Sequence, residues 1–247
     1  MSEMNNQSIN LTTNMYIMNE LLQGKVKTVY DTDDADKVLI KFHDKVTAWN
    51  GKQVEYPPEK GKVCCLISAL LFEKLEKLGV RTHYLGTEGL DTLLCRKLTI
   101  VPVEVIVRNI AAGSIVKTTH LVEGTNINPP IVEYFLKDDA KDDPLLTHDR
   151  VRLMGIDPEP MKVQALDINY QLQSLFTLMG IDLVDFKLEF GYDVHGDLYL
   201  ADEMSPDNMR LWKRGTKERF EKDLFRKDEG DIVTAYKYIL QQLRQFA

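Results

Sequence analysis

The chain of 247 residues carries 31 Lys and Arg against 38 Asp and Glu, a net charge of −7, with 44% hydrophobic and 28% charged residues. That balance argues against general binding to nucleic acid or to anionic membranes, both of which ask for a basic surface, although a local basic cluster can still take a small phosphorylated ligand. No apolar run approaches about 18 residues, so no membrane span is expected. The three cysteines (Cys64, Cys65, Cys95) lack metal-ligand spacing and suit a reduced, cytoplasmic setting.

Residues 1–15 are polar and are expected to fray, without the basic start or apolar run of a signal peptide. A strand is expected over 24–30 and, after an acidic turn at 31–36, a partner over 38–42. Lys25 and Lys27 then share a face beside Gly24, through which backbone can approach a ligand. They could hold a polyphosphate, but taken alone they read better as the charged guard of a sheet edge, and the Gly-Lys-Ser/Thr of a Walker A loop is absent. After a loop at 47–52, apolar residues from Val63 to Leu78 trace a helix that Gly79 stops, with Cys64 and Cys65 as passengers in its core. Short strands follow at 80–85 and 93–98, then a longer one at 100–108 that runs into Arg108-Asn109-Ile110-Ala111-Ala112-Gly113-Ser114. There Ser114 is placed to cap a helix and Arg108 to fork onto a phosphate. A strand at 131–136 leads to the acidic run 137–144, expected as a solvated loop, and 161–179 reads as a helix closed by Gly180. Two helical segments parted near Gly230 complete the chain, the first carrying Lys222, Asp223 and Arg226.

The stretch 183–212 organises the rest. Apolar and charged residues alternate from Val184 to Phe190, the period of a strand with one buried face, so Asp185, Lys187 and Glu189 share the other. With His195 and Gly196 as a two-residue turn, Phe190 opposes Ala201 and Glu189 opposes Asp202. Opposed side chains lie about 4.5–5.5 Å apart, and like charges there destabilise a sheet unless a cation sits between them. Two carboxylates with few other donors suit Mg²⁺, which keeps waters and shares substrate phosphates; an ordinary hairpin with a solvated charged face is the plainer alternative. Ser205-Pro206-Asp207 is expected to turn the chain and bring Arg210 close to Asp202. Strands cluster early and long helices come late, which predicts an α+β, two-lobed fold: an antiparallel β lobe at 1–98, a larger α+β lobe at 99–247, and a nucleotide in the crevice between them.

Five ordered blocks, GKVKTVY, VPVEVIVRNIAAGS, KDDAKDDPLL, LVDFKLEFG and LADEMSPDNMRLW, resemble the phosphoribosylaminoimidazole-succinocarboxamide synthase (SAICAR synthetase) family over almost the whole chain from Gly24 to Leu243. The resemblance implies an ATP-grasp-related fold. It also implies a cytoplasmic homodimer that uses ATP and Mg²⁺ to join carboxyaminoimidazole ribotide (CAIR) to L-aspartate in purine biosynthesis. By the same resemblance Gly24, Lys25, Lys27, Val29 and Lys97 meet ATP, Glu189 and Asp202 hold Mg²⁺, and Lys27, Lys187 and Arg210 serve the chemistry. Asn50, Arg108, Ser114, Asp207, Arg210, Lys222 and Arg226 fall to the substrate. Asn50 stands where the family often has an acid, so it cannot act as a base there. Thr118 replaces a usual arginine, which leaves a phosphate contact to be supplied elsewhere, with Arg226 the candidate. A small-molecule kinase would want a similar set of lysines, carboxylates and phosphate clamp, and dependence on aspartate separates the two.

Overall fold

The structure, a computed structural model, describes residues 19–48, 51–216 and 218–246. In chain order it has β1 (Glu20–Gln23), β2 (Lys27–Asp31), β3 (Lys37–Phe42), β4 (Val46–Ala48), β5 (Gln53–Glu55), α1 (Lys60–Lys77), β6 (Tyr84–Thr87) and β7 (Thr92–Arg96). It continues through β8 (Thr99–Ile110), α2 (Ser114–Thr118), β9 (Asn126–Leu136), β10 (Leu145–Leu146), α3 (His148–Leu153) and α4 (Glu159–Leu178). The last elements are β11 (Ile181–Tyr192), β12 (Leu198–Ala201), β13 (Met209–Lys213), α5 (Asp223–Arg226) and α6 (Ile232–Phe246). The fold is α+β, as expected, with antiparallel pairing throughout the two larger sheets.

The first of these sheets runs β1-β2-β3-β7-β6 and the second β10-β9-β8-β11-β12, with β13 also on β11. Alternation explains the first: Val38, Ile40 and Phe42 of β3 and Leu93 and Cys95 of β7 are buried. Helix α1 packs on this sheet through a wide face including Val63, Ile67, Leu71, Phe72 and Leu75, and α6 returns from the far end of the chain to cover α1. In the second sheet Val101, Val103, Val105 and Val107 of β8 point into the core, against which α4 packs. The intervening Glu104, Ile106 and Arg108 face a large cavity. Strand β11 sits between β8 and both β12 and β13, so even its charged residues Asp185 and Glu189 are only 3% and 4% exposed.

Three expectations need correction. The strand expected from Gly24 begins at Lys27: residues 24–26 form the turn out of β1, where the Gly24 N–H donates to the Lys27 carbonyl at 2.8 Å. With β1 outside it, β2 is not an edge. The hairpin after β11 pairs Glu189 with Ala201 and Tyr192 with Leu198, one residue away from the expected register. Its turn has three residues, 194–196, because the Asp193 carboxylate accepts from the N–H groups of His195 (2.9 Å) and Asp197 (3.0 Å) and Gly196 takes a left-handed φ of 83°. Finally, the run 137–144 is no free solvated loop, since Lys137, Asp139 and Asp143 line the cavity.

The first turn of α1 comes unusually close to the end of β3. A Cβ on Gly61 would lie 2.8 Å from the His43 carbonyl carbon, which is backbone and cannot swing away. Gly61→Ala is therefore expected to cost about 1–3 kcal/mol, read as a lowered urea midpoint at unchanged slope. A loss below about 0.5 kcal/mol would mean that α1 can retreat without disturbing its packing.

Candidate active site

Between the two larger sheets lies a cavity of about 710 Å³. Its walls come from the β1–β2 turn and β2, from the polar faces of β8 and β11, from the 202–210 segment and from α5. At one end Lys27 is clamped by two carboxylates, Asp202 Oδ1 at 2.5 Å and Glu203 Oε1 at 2.7 Å. Lys187 of β11 donates to Glu189 at 2.7 Å and to Glu104 of β8 at 2.9 Å, and Lys137 also pairs with Glu189. Glu189 and Glu104 stand directly opposite each other in the β8–β11 ladder. The cation that like charges at such a position require is thus supplied by Lys187.

Asp202 nevertheless lines the same cavity as Glu189. Beside Ala201 it would have pointed to the other side of a regular strand. Its left-handed φ of 65° breaks the alternation and turns the side chain into the cavity. At this end burial works against the charge on Lys27, but Asp202 and Glu203 outweigh it and hold the ammonium above the ordinary lysine range. Burial likewise opposes ionisation of Asp202, and Lys27 and Lys187 overcome it, keeping the carboxyl far below the usual carboxylate range.

At the other end two arginines converge on one buried carboxylate. Arg108 Nη1 donates to Asp185 Oδ2 at 2.9 Å, and Arg210 Nη1 reaches both Asp185 oxygens at 2.9 and 3.0 Å. Arg108 also donates to Ser114 Oγ at 2.8 Å and pairs with Glu133. Arg210 and Arg226 share Asp223. Gly113 makes this possible: with φ at 65°, a Cβ there would sit 2.5 Å from Arg210 Nη2. Gly113 is also the residue that caps α2, so Ser114 is not the cap but the first helical residue. Arg210 meets Asp185 and Asp223, not Asp202 as expected.

Beneath the cavity floor, Lys60, Cys64 and Ser68 form an i, i+4, i+8 stripe on α1 facing the 203–208 loop. Lys60, 1% exposed, pairs with Asp207, and Ser68 Oγ accepts from the Met204 N–H at 3.2 Å. Tyr236 of α6 donates to the other Asp207 oxygen at 2.8 Å, and Ser205 donates to Glu203 at 2.5 Å. Cys64, Glu203 and Asp207 are close enough together to ligate a metal, but the Lys60 ammonium already neutralises Asp207 and burial pushes the Cys64 thiol far up, leaving no thiolate.

Residues 20–243 match the SAICAR synthetase family. The chain belongs to that family. It is 43% identical over 232 residues to the phosphoribosylaminoimidazole-succinocarboxamide synthase of Thermococcus sibiricus, covering 93% of this chain and 99% of that one. A SAICAR synthetase solved in complex with ADP superposes with a TM-score of 0.88 at 40% identity, covering 90% of this chain and 96% of its own. The phosphoribosylaminoimidazole-succinocarboxamide synthase of Ehrlichia chaffeensis gives 0.89 at 36%, covering 92% and 98%.

Of the site residues that the family resemblance implied, Gly24, Lys25, Lys27, Val29, Lys187, Glu189 and Asp202 line the cavity near its carboxylate-clamped lysines or the adjoining strand β2. Arg108, Ser114, Asp207, Arg210, Lys222 and Arg226 line it too, around the arginine pair and α5. Lys97 does not: it is exposed, and its backbone N–H is bound to the Asp36 carbonyl at 2.8 Å. Asn50 lies outside the described residues. Lys137, Asp139, Glu104, Glu203 and Lys60 were missed. For Glu104 a signal existed, a lone acid four residues before Arg108 on the same face of an otherwise apolar strand. For Lys60 there was none, because its partner is 147 residues away.

His83 is buried, with its Nε2 3.6 Å from Cys95 Sγ. Burial, opposed by Asp202 and assisted by Lys27, pushes the imidazole down to about 4 from an ordinary 6.5. Because the folded value is depressed, the stability this group confers is complete above pH 6.5 and is lost as pH falls toward 4. Each pH unit inside that window costs about 1.4 kcal/mol. His83→Asn is expected to flatten the fall in unfolding free energy between pH 6.5 and 4.5, measured by urea titration. Parallel curves for parent and variant would place that acid sensitivity elsewhere.

Proposed function

We propose that this protein is an ATP-dependent ligase of purine biosynthesis that joins CAIR to L-aspartate, giving SAICAR, ADP and phosphate. One observation carries the reading beyond family membership: a single cavity joins a lysine-rich, carboxylate-lined end to a paired-arginine end. The first suits a nucleotide's polyphosphate and the second a ribotide phosphate. A carboxylate is a poor acyl donor because its oxygen leaves badly. Phosphorylating the CAIR carboxylate supplies a leaving group, which the aspartate amine then displaces.

In this reading Gly24, Lys25 and Lys27 meet the ATP phosphates and Val29 the adenine, with residues 1–98 as the nucleotide lobe and 99–247 as the substrate lobe. Lys187 offsets charge on the phosphoryl group in flight. Arg108, Ser114 and Arg210 hold the ribotide phosphate, with Lys222, Arg226 and the loop bearing Asn50 completing the substrate side. Asp207, with both oxygens engaged, shapes that floor rather than reacting. Glu189 and Asp202 would hold Mg²⁺, an ion that needs only one or two carboxylates, and to do so they would exchange their present lysine partners, Lys187, Lys137 and Lys27, for it. When bound it would neutralise phosphate charge. A cytoplasmic homodimer acting on small molecules completes the proposal.

Supplied with ATP and CAIR, the protein is expected to release ADP in step with SAICAR, identified by mass, only when aspartate is added. Steady ADP release and a phosphorylated product without aspartate would instead establish a small-molecule kinase. Glu189→Gln, which removes one negative oxygen ligand, is expected to lower Mg²⁺-dependent turnover by about tenfold or more, the scale of losing a strong charge interaction. Activity within about twofold of the parent would take Glu189 out of the metal site.

A further inference from the structure

Nearly every cation on the cavity wall is committed to a carboxylate of this chain, from Lys27 with Asp202 to Arg226 with Asp223. Lys222 is the exception: among the described residues its amine makes no hydrogen bond or ion pair, although it lines the same cavity. The chain holds it there, since its backbone N–H donates to the Pro206 carbonyl at 3.3 Å at the mouth of α5. The carboxylate best placed to neutralise it, Asp207, is fully engaged by Lys60 from α1 and by Tyr236 from α6.

We propose that Lys222 is the general base that takes a proton from the aspartate ammonium when that nitrogen attacks the acyl phosphate; the assignment rests on the reaction proposed above. Free aspartate presents –NH₃⁺ at neutral pH, which has no lone pair to give. Lys222 –NH₂ accepts one proton and becomes –NH₃⁺. The C–N bond then forms, the C–O bond to phosphate breaks, and the second nitrogen proton leaves with the departing phosphate as HPO₄²⁻. Burial lowers Lys222 below an ordinary lysine; Arg226 and Lys60 push the same way, and Asp207 and Glu203 oppose them. The neighbouring carboxylates are poorer bases, because Lys60 holds Asp207 down and the arginines hold Asp223 down to about 2.

Lys222→Arg keeps a long hydrogen-bond donor but stays protonated throughout, so it removes the base. We expect aspartate-dependent SAICAR formation to fall by about 100-fold or more. Hydroxylamine, already a free base at neutral pH, needs no such acceptor, so at saturating CAIR Lys222→Arg is expected to lose about tenfold less turnover with hydroxylamine than with aspartate. In Lys222→Ala, which also serves if the arginine variant folds poorly, added ethylamine is expected to restore aspartate-dependent turnover in proportion to its free-base concentration. A merely structural or anion-holding lysine would not show that dependence. The assignment is overturned if Lys222→Arg keeps aspartate turnover within about threefold of the parent, if it loses both nucleophiles alike, or if ethylamine restores nothing. If the parent itself releases no ADP with hydroxylamine and CAIR, the acyl phosphate fails, and this assignment goes with it.

Discussion

A strand covered on both faces cannot carry three charged side chains unless counter-charges arrive with it, and β11 carries Asp185, Lys187 and Glu189. An unpaired buried charge costs several kcal/mol, so each of these residues dictates what its neighbours must be. Asp185 is met by Arg108 from β8 and Arg210 from β13, at ladder positions directly across from it on either side. Glu189 faces Glu104, also on β8, and Lys187 bridges the two. The register of the central sheet and the charge of the cavity wall are therefore one constraint. A slip of one residue would turn each charge into the hydrophobic core.

The same logic runs on beneath the cavity. The 202–208 segment leaves its strand at a left-handed Asp202, sends Glu203 to Lys27 and Ser205, and buries Asp207 between Lys60 and Tyr236. Helices α1 and α6 come from opposite ends of the chain and pack together, so the loop is anchored by the contact that joins the two halves. Positions lining the site are thus held by elements whose own packing is apolar, which keeps charged side chains in place without relying on solvent-screened surface pairs.

Much was legible in the residues alone. The α+β class, the long apolar helices, the long strands that became β8 and β11, and the shared face of Asp185, Lys187 and Glu189 all follow from periods of 3.6 and 2, which are local properties of a chain. The ordered blocks from Gly24 to Trp212 carried the family, because such runs are too long and too specific to arise from patterning. The carboxylate expected opposite Glu189, with a cation between the two, was misassigned. Glu189 faces Glu104 in the ladder, and the cation is Lys187.

Only the folded chain decided the rest. Whether the hairpin turned in two residues or three rested on one Asp193 carboxylate binding two backbone N–H groups, and that choice moved every cross-strand pair by one. Asp202 returned to the cavity through a backbone angle that no alternation rule contains. Lys60 and Asp207, Lys25 and Asp139, and Lys137 and Glu189 are joined over 147, 114 and 52 residues. Periodicity reports which side of an element faces inward. It is silent on which distant charge waits there, because that pairing is set by how the elements pack and by the high cost of leaving either partner buried alone.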